Sequence, residues 1–378
     1  MKINKERPLR ILHFILGKAS KDRANGVNQV VAGLAKYSAR AGMDVRVIGK
    51  ANSAAYEGEV IERDCFKVVV FSRWGAALQQ AVREAIVWAD VVHLHGTYAL
   101  HNVWLGWICD AVDKPYIVTS HAGLAPERKA LRGRVRKTIF HYVLQKRHLE
   151  RAALLHALTE EESSDIVNLT KHCRVVVIPN GIDLEDFPSP IPRIPAMSPQ
   201  PIRIGYIGRL SREKNLTALC EAFSALEDIS EDLELLLAGP PSPEGETITK
   251  AWAGARIKFV GPRFGTEKIS FLGQIDLVVL PSLSEGFPIS AAETLALGLP
   301  MVITRSSNLT YFSKSDSFIL CESTAFGLER GLRKALARRA EWPEMATRGR
   351  HLIESKLNWA AVTTEMLDVY RSISRSEA

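Results

Sequence analysis

Cysteine is scarce and gives no pattern: five residues, Cys65, Cys109, Cys173, Cys220 and Cys321, are scattered through 378 with no C-x-x-C pair. An odd, dispersed set argues against a disulfide framework and against a structural zinc site, and fits a reducing cytoplasm. No apolar run approaches the ~20 residues of a membrane-spanning helix, so the chain is expected to stay in water or lie on a membrane. The start imitates a secretory leader, with Lys2, Lys5, Arg7 and Arg10 ahead of Ile11 to Leu16. His13 interrupts that stretch, Lys18 follows it, and no small-residue cleavage pattern appears, so it reads as a first β-strand. The dinucleotide turn G-x-G-x-x-G is missing too. Gly17 and Gly26 stand too far apart for it, which disfavours a nicotinamide enzyme.

A chain of this length with 46% hydrophobic residues can bury two cores. From Leu9, short apolar runs alternate with helical patterns: Leu9 to Leu16, Val27 to Ala41, Val45 to Ile48, then Asp90 to His95, Leu100 to Val112 and Tyr116 to Thr119. This is the order of right-handed βαβ units and a parallel sheet. Six prolines between Asp186 and Pro201 exclude a helix or a central strand there, making it a linker. Alternation restarts at Ile202 to Ile207 and continues through Leu216 to Leu226, Leu233 to Ala238, Ile257 to Val260, Ile275 to Leu280 and Met301 to Thr304. The expected organisation is α/β: a first domain over 1–185, a linker over 186–201, a second domain over 202–355, and a C-terminal helix over 356–378 with Trp359, Val362, Met366, Val369 and Tyr370 at amphipathic spacing. The halves share this order without a sequence period.

Charge is concentrated. Residues 127–151 hold nine Lys/Arg against two Glu, enough to account for the whole formal charge of +7. Such a run is a solvated helix face or, given Leu131, Val135, Ile139, Tyr142, Val143 and Leu149 beside the cations, a helix that lies on an anionic membrane surface. Nucleic acid ranks last, because neither aromatic interleaving nor a recognition module accompanies the cations.

The chemistry-bearing stretch is Ser282 to Pro300, in which Glu285 and Glu293 flank a turn containing Gly286. A buried strand precedes the turn and a helix follows it, so backbone N–H groups and the helix dipole favour a diphosphate there. Carboxylates on either side can accept from sugar and ribose hydroxyls. Ser290 and Glu293 also have capping-box spacing, which would tie Glu293 to its own helix. A glycosidase pair is disfavoured, because one turn would not set two carboxylates on opposite faces of a sugar. Farther upstream, Arg209 follows a strand and Lys214 lies about one turn beyond, two cations able to neutralise a leaving diphosphate. Asn25-Gly26-Val27 opens a helix, with room for an anion or a hydroxylated ligand or simply as a loop end. His93 and His95 share a strand face, yet no acidic or histidine partner follows at ligand spacing, so they read as core and cleft-edge residues rather than a metal site.

Taken in order, Gly208-Arg209-Leu210-Ser211-Arg212-Glu213-Lys214-Asn215, the E-x7-E pair in Ser284-Glu285-Gly286-Phe287-Pro288, Pro179-Asn180-Gly181-Ile182-Asp183, His95-Gly96-Thr97 and Thr119-Ser120-His121-Ala122-Gly123 resemble the retaining glycosyltransferases of family four. The stretch from His95 to Thr159-Glu160 is similar to the branch that builds bacterial exopolysaccharide or lipopolysaccharide. The resemblance implies the GT-B fold: two Rossmann-like domains facing across a cleft, with the final helix crossing back to the first. It implies a nucleotide-sugar donor, a saccharide or lipid-linked acceptor, retention at the anomeric carbon, and neither metal nor cofactor. Carried over, Arg209 and Lys214 bind the diphosphate, and Gly208 and the backbone of Gly286, Phe287, Pro288 and Ile289 meet the donor. Glu285 takes the sugar hydroxyls, Glu293 the ribose, His121 lies near the anomeric carbon, and Gly26 meets donor or acceptor. The family commonly has two adjacent glycines where this chain has Asn25-Gly26, which limits how closely that loop can approach. A sugar-nucleotide epimerase of the same fold and a non-catalytic nucleotide-sugar binder are the competing readings.

Overall fold

The computed structural model describes residues 7–17, 26–51, 57–124, 138–170, 174–187, 190, 201–229, 232–240 and 242–374. They form two compact units, one running to Gly181 and taking back the chain from Trp359, the other spanning Ile182 to Asn358.

The first unit is built on an eight-stranded sheet: β1 (Arg10–Ile15), β2 (Asp44–Lys50), β3 (Glu57–Arg63), β4 (Phe66–Phe71), β5 (Val91–His95), β6 (Tyr116–Thr119), β7 (Leu154–Ala157) and β8 (Val175–Val177), in the order β3-β4-β2-β1-β5-β6-β7-β8. Every pairing is parallel except β3 with β4. The helices are α1 (Gly26–Arg40), α2 (Ala76–Trp88), α3 (Leu100–Ala111), α4 (Lys146–Arg151) and α5 (Glu160–Thr170). A sheet covered on both faces buries its strands along their length, and all five residues of β5 and five of six in β1 are buried. Leu12, Phe14, Leu94, Val118 and Leu155 join Leu78, Ile86 and Leu105 in one continuous core. The alternation read from sequence passes over the β3–β4 hairpin, a charged strand on the sheet edge.

The C-terminal helix Trp359–Ser374 completes this unit. Its first side chain fits where two glycines leave room: a Cβ on Gly33 would lie 2.2 Å from the Trp359 ring, and one on Gly181 2.7 Å from it. Apolar spacing alone left the packing partner of this helix open; Gly33 of α1 decides it. Part of the basic segment, 125–137, lies outside the described residues. The remainder forms a π-helical turn (His141–Gln145) running into α4. Leu149 faces the core, whereas Ile139, Tyr142 and Val143 are exposed.

The second unit has a six-stranded, wholly parallel sheet: β9 (Ile202–Ile207), β10 (Leu233–Ala238), β11 (Ile257–Gly261), β12 (Leu277–Leu280), β13 (Met301–Thr304) and β14 (Ile319–Cys321), ordered β11-β10-β9-β12-β13-β14. Its helices are α6 (Leu216–Ser224), α7 (Pro243–Trp252), α8 (Gly265–Leu272), α9 (Ile289–Ala296), α10 (Ala325–Ala337) and α11 (Trp342–Lys356). The chain winds outward from β9 in one direction and from β12 in the other. The gap beyond the C-terminal ends of these two strands is therefore the switch point at which open parallel sheets take ligands. In the first unit β1 and β5 hold the corresponding place. Among the described residues, no helix is long and apolar enough to cross a membrane.

Candidate functional site

At the switch point of the second unit, Arg209 lies just past β9 and Glu285 just past β12. A short 3-10 turn (Arg212–Lys214) carries Lys214 across the gap, where its ammonium forms an ion pair with Glu285. Asn215 makes the bend: it adopts φ 57°, and its side-chain amide donates to Pro281 O at 3.1 Å and Ser323 O at 2.7 Å. Asn suits both tasks, because it tolerates the left-handed region and brings its own donors. Ser282 Oγ donates to Glu285 Oε1 at 2.8 Å, Asn308 Nδ2 donates to Glu285 O at 2.7 Å, and Glu285 N donates to Ser306 O at 3.2 Å. A carboxylate held this firmly is preorganised to accept from a hydroxyl.

Gly208 ends β9 where space is short: a Cβ there would sit 2.5 Å from the Tyr206 hydroxyl. That hydroxyl donates to Arg209 O at 2.8 Å, and burial, with Glu285 and Glu213 adding negative charge, pushes the phenol well above its usual pKa. Tyr206 therefore stays a neutral donor and fixes the backbone from which the exposed Arg209 side chain extends. Gly286, Phe287, Pro288 and Ile289 form the turn and the start of α9, whose first N–H groups have no acceptor within their own helix.

Glu293 does not form the capping box. Pro288 caps α9 without a side-chain hydrogen bond, and the Glu293 carboxylate pairs instead with Lys268 of α8, 25 residues upstream. With Pro288 as N-cap the helix begins ahead of Ser290, so Ser290 and Glu293 do not stand at the N-cap and third helical positions that a capping box needs. Burial raises the pKa of Glu293, and Lys268 opposes that rise. Sequence reading missed Lys268, which stands at no local spacing to the E-x7-E pair. Changing Lys268 to Met is expected to raise the donor KM ~10-fold or more with a smaller change in kcat, because a buried carboxylate without its cation takes up a proton and becomes a weaker acceptor. The KM should then worsen further as pH falls. An unchanged KM in steady-state assays would make the pair purely structural.

In the first unit, His121 follows β6 and meets His95, with Nε2 3.2 Å from His95 Nδ1. His95 Nε2 in turn lies 3.0 Å from His13 Nδ1. The expectation that His93 and His95 have no histidine partner is corrected: parallel register sets His13 of β1 directly opposite His93, and ring nitrogens of His13, His93 and His95 come within 4.8 Å of one another. The signal was present in the sequence as the single polar residue interrupting Ile11 to Leu16. Both His93 nitrogens are engaged, Nδ1 with the Tyr370 hydroxyl at 2.7 Å and Nε2 with Thr119 Oγ1 at 2.6 Å. Thr119 also meets His156 Nδ1 at 2.8 Å, and His156 Nε2 lies 2.8 Å from Ile178 O. Burial lowers these imidazoles, His13 to about 3 and His156 to about 4, so they are neutral at pH 7. Gly26 is exposed at the start of α1; its neighbour Asn25 lies outside the described residues.

Comparison with known proteins accords with these two sheets and their loops. Residues 24–186 match the family described as Glycosyltransferase Family 4, and residues 201–337 match Glycosyl transferases group 1. The chain is 26% identical over 325 residues to a D-inositol 3-phosphate glycosyltransferase of Corynebacterium jeikeium, covering 76% of this chain and 77% of that one. Sucrose-phosphate synthase from Thermosynechococcus elongatus shares the fold, with a TM-score of 0.77 at 20% identity over 97% of this chain and 100% of the other. Anabaena HepE in complex with UDP-glucose superimposes with a TM-score of 0.73 at 15% identity, covering 96% and 100%. The chain belongs to the family-four glycosyltransferases of GT-B fold. It is an enzyme that uses a nucleotide sugar.

Proposed function

We propose that the enzyme transfers a hexosyl group from a nucleoside-diphosphate hexose to a hydroxyl of a saccharide or lipid-linked saccharide in cell-surface polysaccharide synthesis, with retention and without metal. The observation that carries this reading is the Lys214–Glu285 pair beside Arg209 at the β9/β12 switch point. Cations there take the diphosphate charge that a metal takes in other enzymes, and the N–H groups at the start of α9 add to it. Glu285 accepts from the sugar, Glu293 from the ribose, and His121 reaches the transferred sugar. The relative from Corynebacterium favours a second acceptor class, a phosphorylated cyclic polyol.

The test is a screen of nucleotide sugars for thermal stabilisation, followed by turnover of the best donor with chelator present and three acceptors: a lipid-linked saccharide in anionic vesicles, the same in neutral vesicles, and inositol phosphate. Turnover on a saccharide with the anomeric configuration kept supports the reading. Preference for anionic vesicles, lost in high salt, supports the membrane role of residues 127–151, to which exposed Ile139, Tyr142 and Val143 are suited. Product formed from donor alone, loss of activity with chelator, or turnover confined to the polyol phosphate overturns the corresponding part.

A further inference from the structure

We propose that Glu162 is a positioning residue for His121: its carboxylate holds the turn that carries the histidine, while His95 and His13 fix the ring. The proposal rests on reading His121 as a group that touches the transferred sugar.

His121 and Ala122 adopt φ 50° and 57°, two successive non-glycine residues in a region that L-residues avoid. Such a conformation persists only where the surroundings impose it. Glu162, in the first turn of α5 and only 3% exposed, imposes it from both sides of the histidine. Its Oε1 accepts from Ser120 Oγ and from Ala122 N at 2.5 Å, and its Oε2 accepts from Leu158 N at 2.7 Å. All three partners donate, so an ionised carboxylate satisfies them and an amide of the same shape cannot: a glutamine NH2 must face at least one N–H or O–H. Gly123 N closes the turn on Ser120 O at 3.0 Å, and a Cβ at Gly123 would meet Thr97 Oγ1 at 2.0 Å. The backbone of His121 is thus held by one buried charge reaching from α5 to the end of β6.

The ring is held by other histidines. It stacks on His95 with centroids 5.4 Å apart and planes 29° apart. A neutral imidazole has one N–H, so the two contacts along His121, His95 and His13 must run in the same sense, with each histidine passing its donor to the next. The tautomer of His121 is therefore coupled to that of His13, which is fully buried and whose Nε2 has no hydrogen-bond partner.

The test is a double-mutant cycle with a spectroscopic arm. H121A is expected to lower kcat ~100-fold, the range of a misplaced proton-bearing group, and E162Q ~10-fold to ~100-fold with nucleotide affinity by calorimetry unchanged. If Glu162 acts through His121, the double variant H121A/E162Q matches H121A within ~2-fold, because residues acting as a unit are not additive. In the ¹⁵N spectrum E162Q shifts the His121 ring nitrogens. S120A, which removes one donor and leaves the carboxylate in place, gives a smaller loss in the same direction and serves should E162Q fold poorly. Losses that multiply in the double variant, or His121 nitrogen resonances unmoved by both E162Q and S120A, overturn the proposal. Full turnover by H121A overturns the catalytic reading of His121 instead, and the resonances alone then decide the role of Glu162.

Discussion

With Arg209 and Lys214 both changed to alanine, kcat is expected to fall ~1000-fold or more while the protein stays folded. Breaking the bond to the anomeric carbon leaves a diphosphate carrying new negative charge, and fixed cations act on that charge more strongly in the transition state than in the bound donor. One such donor contributes ~100-fold to ~1000-fold in comparable sites. The two side chains should not behave alike when changed singly. Arg209 is exposed at the end of β9, and its loss is expected to lower kcat with the smaller effect on KM. Lys214 also neutralises Glu285, a carboxylate only 8% exposed, so its loss disturbs the sugar contact as well and should raise KM along with lowering kcat. Single-turnover kinetics on the three variants, with thermal melts as a folding control, check this. Near-normal turnover by the double variant would remove both cations from the chemistry.

The alternating order of both units was legible because doubly wound sheets need largely apolar strands, and β1, β5, β9 and β12 read that way apart from polar insertions such as His13, His93 and Arg203. The β3–β4 hairpin was not, because a charged edge strand such as Glu57 to Arg63 looks like a loop. The places of Glu285 and Lys214 were readable, in the loops that follow β12 and β9. Partners brought together only by tertiary packing were not: Lys268 reaches Glu293 from another helix, and the capping-box spacing at Ser290 offered a local alternative that Pro288 at the helix start does not support. Glu162 sits in a run of three glutamates, and only helical phase with Ile166 and Thr170 marks it as the inward one. His13 was visible as an oddity in an apolar strand, but its meaning depended on which strand lay beside it.

Stability is expected to drop steeply between pH 6.5 and pH 5, and the cause lies in the first unit. His13 is held at about 3 by burial, His156 at about 4 by burial against the help of Ile178 O, and His148 at about 4 by burial. A histidine whose folded pKa is depressed takes up its proton more readily in the unfolded chain, whose value is near 6.5. Between the two values the unfolded state binds more protons, so stability rises with pH there and is lost as pH falls below about 6.5. Each pH unit costs about 1.4 kcal/mol per group, or about 2 kcal/mol per histidine at pH 5. Three such groups approach the whole stability of an ordinary domain. Urea melts at pH 7, 6 and 5 should show the decline, and His13→Leu should flatten it by about one proton's worth even if it lowers stability at pH 7 by leaving His95 Nε2 without its partner. A wild-type profile that stays flat to pH 5 would mean that these imidazoles reach water or carry protons in the folded protein, contrary to the closed network of His93, Thr119, His156 and Tyr370.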